Sequence, residues 1–207
     1  MSERVVLLAT RSAGKLRELR PMFAAAGFAV RDLAEAGIPE AAEEDALEAF
    51  ATFEENARAK ARHFFVKGGG LPVVADDSGL EVAALGGAPG VHSKRWSGRA
   101  DLRGEALDAA NNALLLERLR GQRDRRARYV CVAAYWDGTR ERLARGEVTG
   151  RIADARVEGG EGFGYDPYFV SDELGRAFSE VSREEKARVS HRGRAVAALL
   201  KSLVACG

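Results

Sequence analysis

Two kinds of segment alternate along the chain. Short continuous apolar runs at 5–9, 71–75 and 129–136 read as strands covered on both faces. Between them, apolar residues recur at helical spacing. Leu16, Leu19, Met22 and Phe23 mark a first helix that Gly27 stops, and Phe28, Ala29 and Val30 form a short second strand. Thr52 and Glu55 stand at capping-box spacing and open a helix running to about Val66, closed by three glycines at 68–70. A leucine-rich helix spans 107–119, and an amphipathic one spans 190–205. Asp137-Gly138 signals a hairpin turn into a polar, alternating strand over 140–149. Residues 34–51 form an acidic, Ala-rich loop with room for a short helix, while 86–98 and 158–168 are glycine-rich loops. Strands alternating with helices predict an α/β fold, and the hairpin makes its sheet mixed.

Composition narrows this further. A chain of 207 residues, 46% hydrophobic and 30% charged, is long enough for one substantial domain over 1–207, and no flexible linker or repeat divides it. Thirty-two basic against 31 acidic residues leave a net charge of +1. That balance excludes a general attraction to nucleic acid or to an anionic membrane, so any recognition of phosphate must be local. The two cysteines show no metal or disulfide spacing, which fits a reducing compartment. No apolar stretch approaches the ~20 residues of a membrane span. The expectation is a soluble, cytoplasmic protein.

Five segments carry candidate chemistry. Thr10-Arg11-Ser12-Ala13-Gly14-Lys15 joins a strand to a helix, where free N–H groups, the helix dipole and a lysine make a seat for phosphate; an exposed helix start is the alternative. It lacks the glycines and Lys-Ser/Thr order of a Walker A loop. Asp76-Asp77-Ser78-Gly79 follows a buried strand, where ligands bind in open α/β sheets. Side chains alternate along extended backbone, so only one of the two carboxylates faces a ligand squarely, unless the segment is an Asx-type turn. The acidic stretch with Glu43 and Glu44, together with Glu54 and Glu55, offers oxygen ligands for Mg²⁺ or else a solvated face. Phe163-Gly164-Tyr165-Asp166, within a glycine-rich loop, suits close approach to a flat ligand with a ring to stack on it, or a structural turn. Lys186, His191 and Arg192 lie in a charged segment able to clasp an anion or cap a surface helix.

Taken in order, ATRSAGK, TFEENARAKA, ADDSGLEVAALGGAPGVHSKRWSG, GGEGFGYDP and SREEKARVSHRGRA resemble the ITPase/XTPase family of nucleoside triphosphate pyrophosphatases over nearly the whole chain. The resemblance implies two α/β lobes around a long mixed sheet, a nucleotide cleft between them and a homodimer. It implies Mg²⁺-dependent cleavage of inosine, deoxyinosine and xanthosine triphosphates to the monophosphate and pyrophosphate. By the same resemblance Thr10, Arg11, Ser12, Ala13, Gly14 and Lys15 hold the triphosphate. Asp77 is the catalytic carboxylate and a metal ligand, with Ser78 touching substrate. Phe163, Gly164, Tyr165 and Asp166 cradle the base, Phe163 by stacking. Lys186, His191 and Arg192 complete the base and phosphate contacts. A glutamate of the acidic loop, taken as Glu43 rather than Glu44, is the second metal ligand. Two features depart from the family pattern. Ser12 stands where that pattern has Asn, and the acidic loop is longer by about one helical turn. Two rival readings share these segments: a pyrophosphatase for modified pyrimidine or standard nucleotides, and a catalytically silent nucleotide-binding module.

Overall fold

The computed structural model describes residues 4–160 and 162–204; Glu161 of the glycine-rich loop, Cys206 and the side chain of Asp45 in the acidic stretch lie outside the described residues. In chain order the strands and helices are β1 (Arg4–Leu8), α1 (Ala13–Ala25), β2 (Phe28–Asp32), α2 (Phe53–Lys67), β3 (Val73–Val82), α3 (Gly104–Arg118), β4 (Arg126–Trp136), β5 (Glu141–Ile152), β6 (Phe169–Ser171), α4 (Arg183–Val189) and α5 (His191–Val204). Short 3-10 turns cover Ala42–Glu48 in the acidic stretch and Gly90–Arg95 in the loop after β3.

Six strands form one mixed sheet in the order β2-β1-β3-β4-β5-β6. β1 pairs in parallel with β2, Val6 opposite Val30, and with β3, Leu7 opposite Val73. At the other edge β5 and β6 are antiparallel, with Arg151 opposite Val170. The hairpin signal at 137–138 is realised: the Asp137 carboxylate accepts from the N–H groups of Thr139 and Arg140 at 2.9 and 2.7 Å between β4 and β5. Among the described residues no helix is long and apolar enough to cross a membrane.

The chain folds as two compact units. The first takes residues up to Asp77, Cys131–Gly146 and those from Arg192 onward; the second takes Ser78–Val130 and Glu147–His191. In the first, Val6, Leu8, Val74, Cys131 and Ala133 of the strands pack with Leu19 and Phe23 of α1 and Val196 and Leu199 of α5. In the second, Leu80, Val82, Tyr129, Val148 and Ile152 pack with Leu115 of α3, Phe169 and Phe178. Each fully buried Val, Leu or Phe contributes ~1.5–3 kcal/mol, so these two clusters fix the strands that carry polar groups.

β3 corrects the sequence reading. The apolar run suggests a strand ending near Ala75, yet the strand continues through Asp76, Asp77, Ser78 and Gly79 to Val82. Two buried carboxylates in a strand interior are tolerable only when cations neutralise them.

Candidate active site

The first unit assembles a buried charge network around β3. Asp76 and Asp77 are 2% and 6% exposed, and the strand pleat sends their side chains to opposite faces. They accordingly find different partners. On one face Lys15 Nζ lies 2.9 Å from Asp76 Oδ2, and Arg192 Nε lies 3.3 Å from the same oxygen. Arg192 also donates to Glu18, one turn along α1 from Lys15. Burial opposes charge on Asp76, but Lys15, Arg192 and Lys60 outweigh it and hold the carboxyl well below its ordinary range. Burial likewise opposes charge on Arg192, and Glu18 and Asp76 reverse the effect, so its pKa is raised and it stays a cation.

On the other face Asp77 is gripped by two residues of α2. Lys60 Nζ donates to Oδ1 and Asn56 Nδ2 donates to Oδ2, each at 2.9 Å. Asn56 and Lys60 are one helical turn apart and lie on the same face as Phe53, Ala57 and Phe64, all buried. Asn56 Oδ1 accepts from Phe50 N at 3.0 Å, tying down the chain that leads into α2. Thr52 caps that helix by accepting from Glu55 N at 3.2 Å, as its spacing predicts. Lys60 also reaches Glu48 at 3.2 Å, and the nearby carboxylates raise its pKa against the pull of burial.

The acidic stretch sorts differently from expectation. Glu43 is 56% exposed at its side chain and pairs with Lys67 at 2.8 Å. Glu44 accepts from Arg11 at 2.7 and 3.1 Å and from Ala41 N at 3.2 Å. Glu48 alone of the three shares a partner with Asp77. The stretch folds as a 3-10 turn whose last residue, Glu48, points back to Lys60, while Glu43 pairs with Lys67.

The Thr10–Lys15 segment forms a helix start. Ser12 accepts from Lys15 N at 3.3 Å as N-cap of α1, and its own N–H donates to Thr10 Oγ1 at 3.1 Å. Ala13 and Gly14 occupy the first turn. Arg11 turns away to hold the acidic stretch, donating to the carbonyls of Ile38 and Pro39 at 2.8 Å each, so its guanidinium serves the loop.

The second unit gathers the other predicted residues. Asp166 and Lys186, 3% and 4% exposed, pair at 2.7 Å. Asp166 Oδ2 also accepts from Phe163 N at 2.8 Å, and Lys186 Nζ lies 5.0 Å from the centre of the half-buried Phe163 ring. A Cβ on Gly162 would fall 2.8 Å from Asp166, and its φ of +96° is one that glycine adopts freely. Tyr165 is buried, donating from its hydroxyl to Ser93 O at 2.8 Å, and burial pushes its phenol pKa up. Its ring packs into the second core and is not a face for a base to stack on. His191 is buried too, stacked on Tyr129 at 4.5 Å. Ser78 follows Asp77 in β3 and is half-buried.

Asn56 and Glu48 lie in segments singled out from the sequence, but neither they nor Lys60 carried an assigned role there. The signal for Asn56 and Lys60 was present: an Asn and a Lys at core positions of an otherwise apolar helix face require a buried polar partner.

Known proteins resemble this chain in sequence and in architecture. The Ham1 family profile matches residues 6–202. A dITP/XTP pyrophosphatase of Ralstonia nicotianae is 46% identical over 203 residues, covering 97% of this chain and 96% of that protein. One from Thermus thermophilus is 48% identical over 202 residues, covering 95% and 90%. Among solved structures, the Staphylococcus aureus Ham1 protein superposes with a TM-score of 0.81 at 34% identity, covering 98% of this chain and 100% of that one. A nucleoside-triphosphatase / dITP/XTP pyrophosphatase from Mycobacterium abscessus gives 0.69 at 42% identity, covering 95% and 98%.

Proposed function

The chain belongs to the Ham1 family, and from that premise we propose that it is a pyrophosphatase for non-standard purine nucleoside triphosphates. Inosine, deoxyinosine and xanthosine triphosphates are cleaved to the monophosphate and pyrophosphate. One observation carries the chemical reading: consecutive carboxylates in β3 face opposite ways, Asp76 onto Lys15 and Arg192, Asp77 onto Lys60 and Asn56.

The polyphosphate brings about four negative charges, which must be offset before water can approach phosphorus. Lys15, Arg192 and the N-terminus of α1 supply that potential, and Asp76 keeps the two cations ordered until an anion arrives. Asp77 orients the attacking water and takes its proton at a carboxylate oxygen. Asn56 and Lys60 hold that carboxylate in one plane, so it needs no reorganisation when the nucleotide binds.

Asp77 and Glu48 would hold Mg²⁺: each places a carboxylate oxygen on Lys60 Nζ, at 2.9 and 3.2 Å, so two hard oxygen donors lie close together around that ammonium. An ion held by one or two carboxylates takes its remaining ligands from phosphates and water. Such an ion would supply positive charge to offset that of the polyphosphate.

Base selection falls to the second-unit residues. The N–H groups of Phe163, Gly164 and Asp166 are already taken by Asp166, Asp108 and the Phe163 carbonyl. The loop therefore offers its Phe163 ring, and donors to the purine 6-oxygen fall to side chains, Lys186 and His191 being the ones the family resemblance assigns. An amino group at that position, as in adenine, faces donors with a donor and loses a few kcal/mol.

Pyrophosphate release from inosine, xanthosine, guanosine and thymidine triphosphates with Mg²⁺ tests this. Inosine and xanthosine substrates should lead; comparable thymidine turnover, or saturable binding without product, would overturn the reading. A homodimer in the cytoplasm belongs to the same proposal, and light scattering on the purified chain tests the dimer.

A further inference from the structure

The polar face of α3 lies outside all the chemistry assigned so far, yet it is built with care. Asp108, Asn111 and Asn112 are adjacent on a helix whose other inward positions are apolar, and both asparagines are more than nine-tenths buried. Their partners are two loops of the second unit. Asn111 accepts from Ser97 N at 2.8 Å and donates to Lys94 O at 3.0 Å. Asp108 Oδ2 accepts from Gly164 N at 2.8 Å, and Asn112 Nδ2 donates to Gly164 O at 2.9 Å. The same Asn112 amide donates to Asp108 O at 2.9 Å, which locks the orientation of its side chain.

Gly164 is therefore held at both its N–H and its carbonyl by one helix, at a φ of +62°, with open space on its Cβ side. The residue before it is Phe163. The Phe163 N–H is taken by Asp166 at 2.8 Å, and its carbonyl accepts from Asp166 N at 3.2 Å. With the following peptide fixed by α3 and the preceding one by Asp166, the Cα–Cβ direction of Phe163 has no freedom left. The backbone on both sides of Phe163 thus sets the direction of its half-buried ring, which has Lys186 Nζ 5.0 Å from its centre.

We propose that Asp108 and Asn112 are positioning residues for base recognition, clamping Gly164 so that the Phe163 ring meets the purine at a fixed attitude. This rests on the reading that residues 163–166 receive the base. Discrimination between bases needs such rigidity, because a loop free to shift lets misplaced donors move away from a wrong base and relieves the penalty against it. Burial and the neighbouring Asp166 and Glu105 push the Asp108 carboxyl up from its ordinary value while the Gly164 N–H opposes them, which agrees with Gly164 being the group that retains a carboxylate there.

Steady-state kinetics on Asp108→Ala, Asp108→Asn and Asn112→Asp, with inosine and adenosine triphosphates as substrates and inorganic tripolyphosphate as a base-free competitor, test the proposal. Asp108→Ala should raise KM for inosine triphosphate about tenfold with kcat changed less than about threefold, the loss of one charge-assisted hydrogen bond. The preference for inosine over adenosine should shrink, and the inhibition constant of tripolyphosphate should stay within about twofold. Asp108→Asn, which keeps an acceptor for Gly164 N, should recover KM to within about threefold. If Asp108→Ala does not fold by its melting curve, Asn112→Asp carries the test, since it keeps the size and removes the donor to Gly164 O. The proposal is overturned if KM and selectivity stay at wild-type values, if tripolyphosphate inhibition weakens in step with KM, or if Asn at 108 fares no better than Ala. Phe163→Ala separates the two levels. Should it leave KM for inosine triphosphate unchanged, the base-loop reading fails; should it raise KM while the α3 variants do not, the positioning proposal alone fails.

Discussion

Lys60 and Asp77 form a buried ion pair of 2.9 Å, and the same ammonium reaches Glu48 at 3.2 Å. One cation thus holds two carboxylates from different elements at a single point. Removing it should expose how much they repel.

Lys60→Met is expected to lower stability by about 3–5 kcal/mol, the usual result of stripping one partner from a buried pair. It should also make the protein more responsive to Mg²⁺, since two uncompensated carboxylates attract a divalent cation more strongly than two neutralised ones. Thermal melting with and without Mg²⁺ reads both effects. A Mg²⁺ shift no larger than in the wild type would rule out Asp77 and Glu48 as the ligands.

Asp77→Asn leaves an oxygen for one of the two donors, Lys60 or Asn56, and sets its amide N–H group against the other, so a melting curve accompanies the assay; turnover of inosine triphosphate should fall by at least ~10², the scale of general-base loss. Activity within a few-fold of wild type would remove Asp77 from the catalytic role.

Glu48→Gln should raise the Mg²⁺ concentration for half-maximal rate by about tenfold, as expected on losing a charged oxygen ligand. Glu43→Gln should leave it unchanged, because that side chain is paired with Lys67 on the surface. The reverse outcome would return the metal to Glu43.

Asp76 supplies a pH signature. Its carboxyl in the folded chain lies below the ordinary value of 3.8, so its stabilising contribution is complete above that pH and is lost as pH falls through the lower folded value. Asp76→Asn should therefore cost about 3–5 kcal/mol near neutrality, leaving Lys15 and Arg192 without their shared anion. The difference from wild type should be flat down to about pH 5 and shrink below about pH 4. Urea titrations across that range check it; a gap that does not narrow on acidification would show that Asp76 is not held as a carboxylate.

Much of this architecture was legible from pattern alone. β1, α1 and α2 follow from apolar runs, helical spacing and the Thr52 cap, because each obeys a local rule. The extension of β3 past Ala75 was not, since no local rule places two aspartates inside a strand; Lys15, Lys60 and Arg192, distant in sequence, make it possible. The choice between Glu43 and Glu44 was not legible for a related reason, and Glu48 did not enter it. Which glutamate faces inward depends on the winding of a 3-10 turn and on where Arg11 and Lys67 pull its neighbours. Tyr165 entered the expected base cradle by resemblance alone, and no local rule showed that its hydroxyl donates to Ser93 O and its ring packs in the second core.

Thiol reagents should pass over Cys131 in the folded chain. Its sulfur is fully buried 3.8 Å from the Asp76 carboxylate, and burial together with that negative neighbour pushes the thiol pKa far up, so almost no thiolate is present to be alkylated. With Cys206, the chain's other cysteine, replaced, a single cysteine engineered onto an exposed helix position becomes a clean handle for a fluorophore or spin label, leaving the native sulfur untouched.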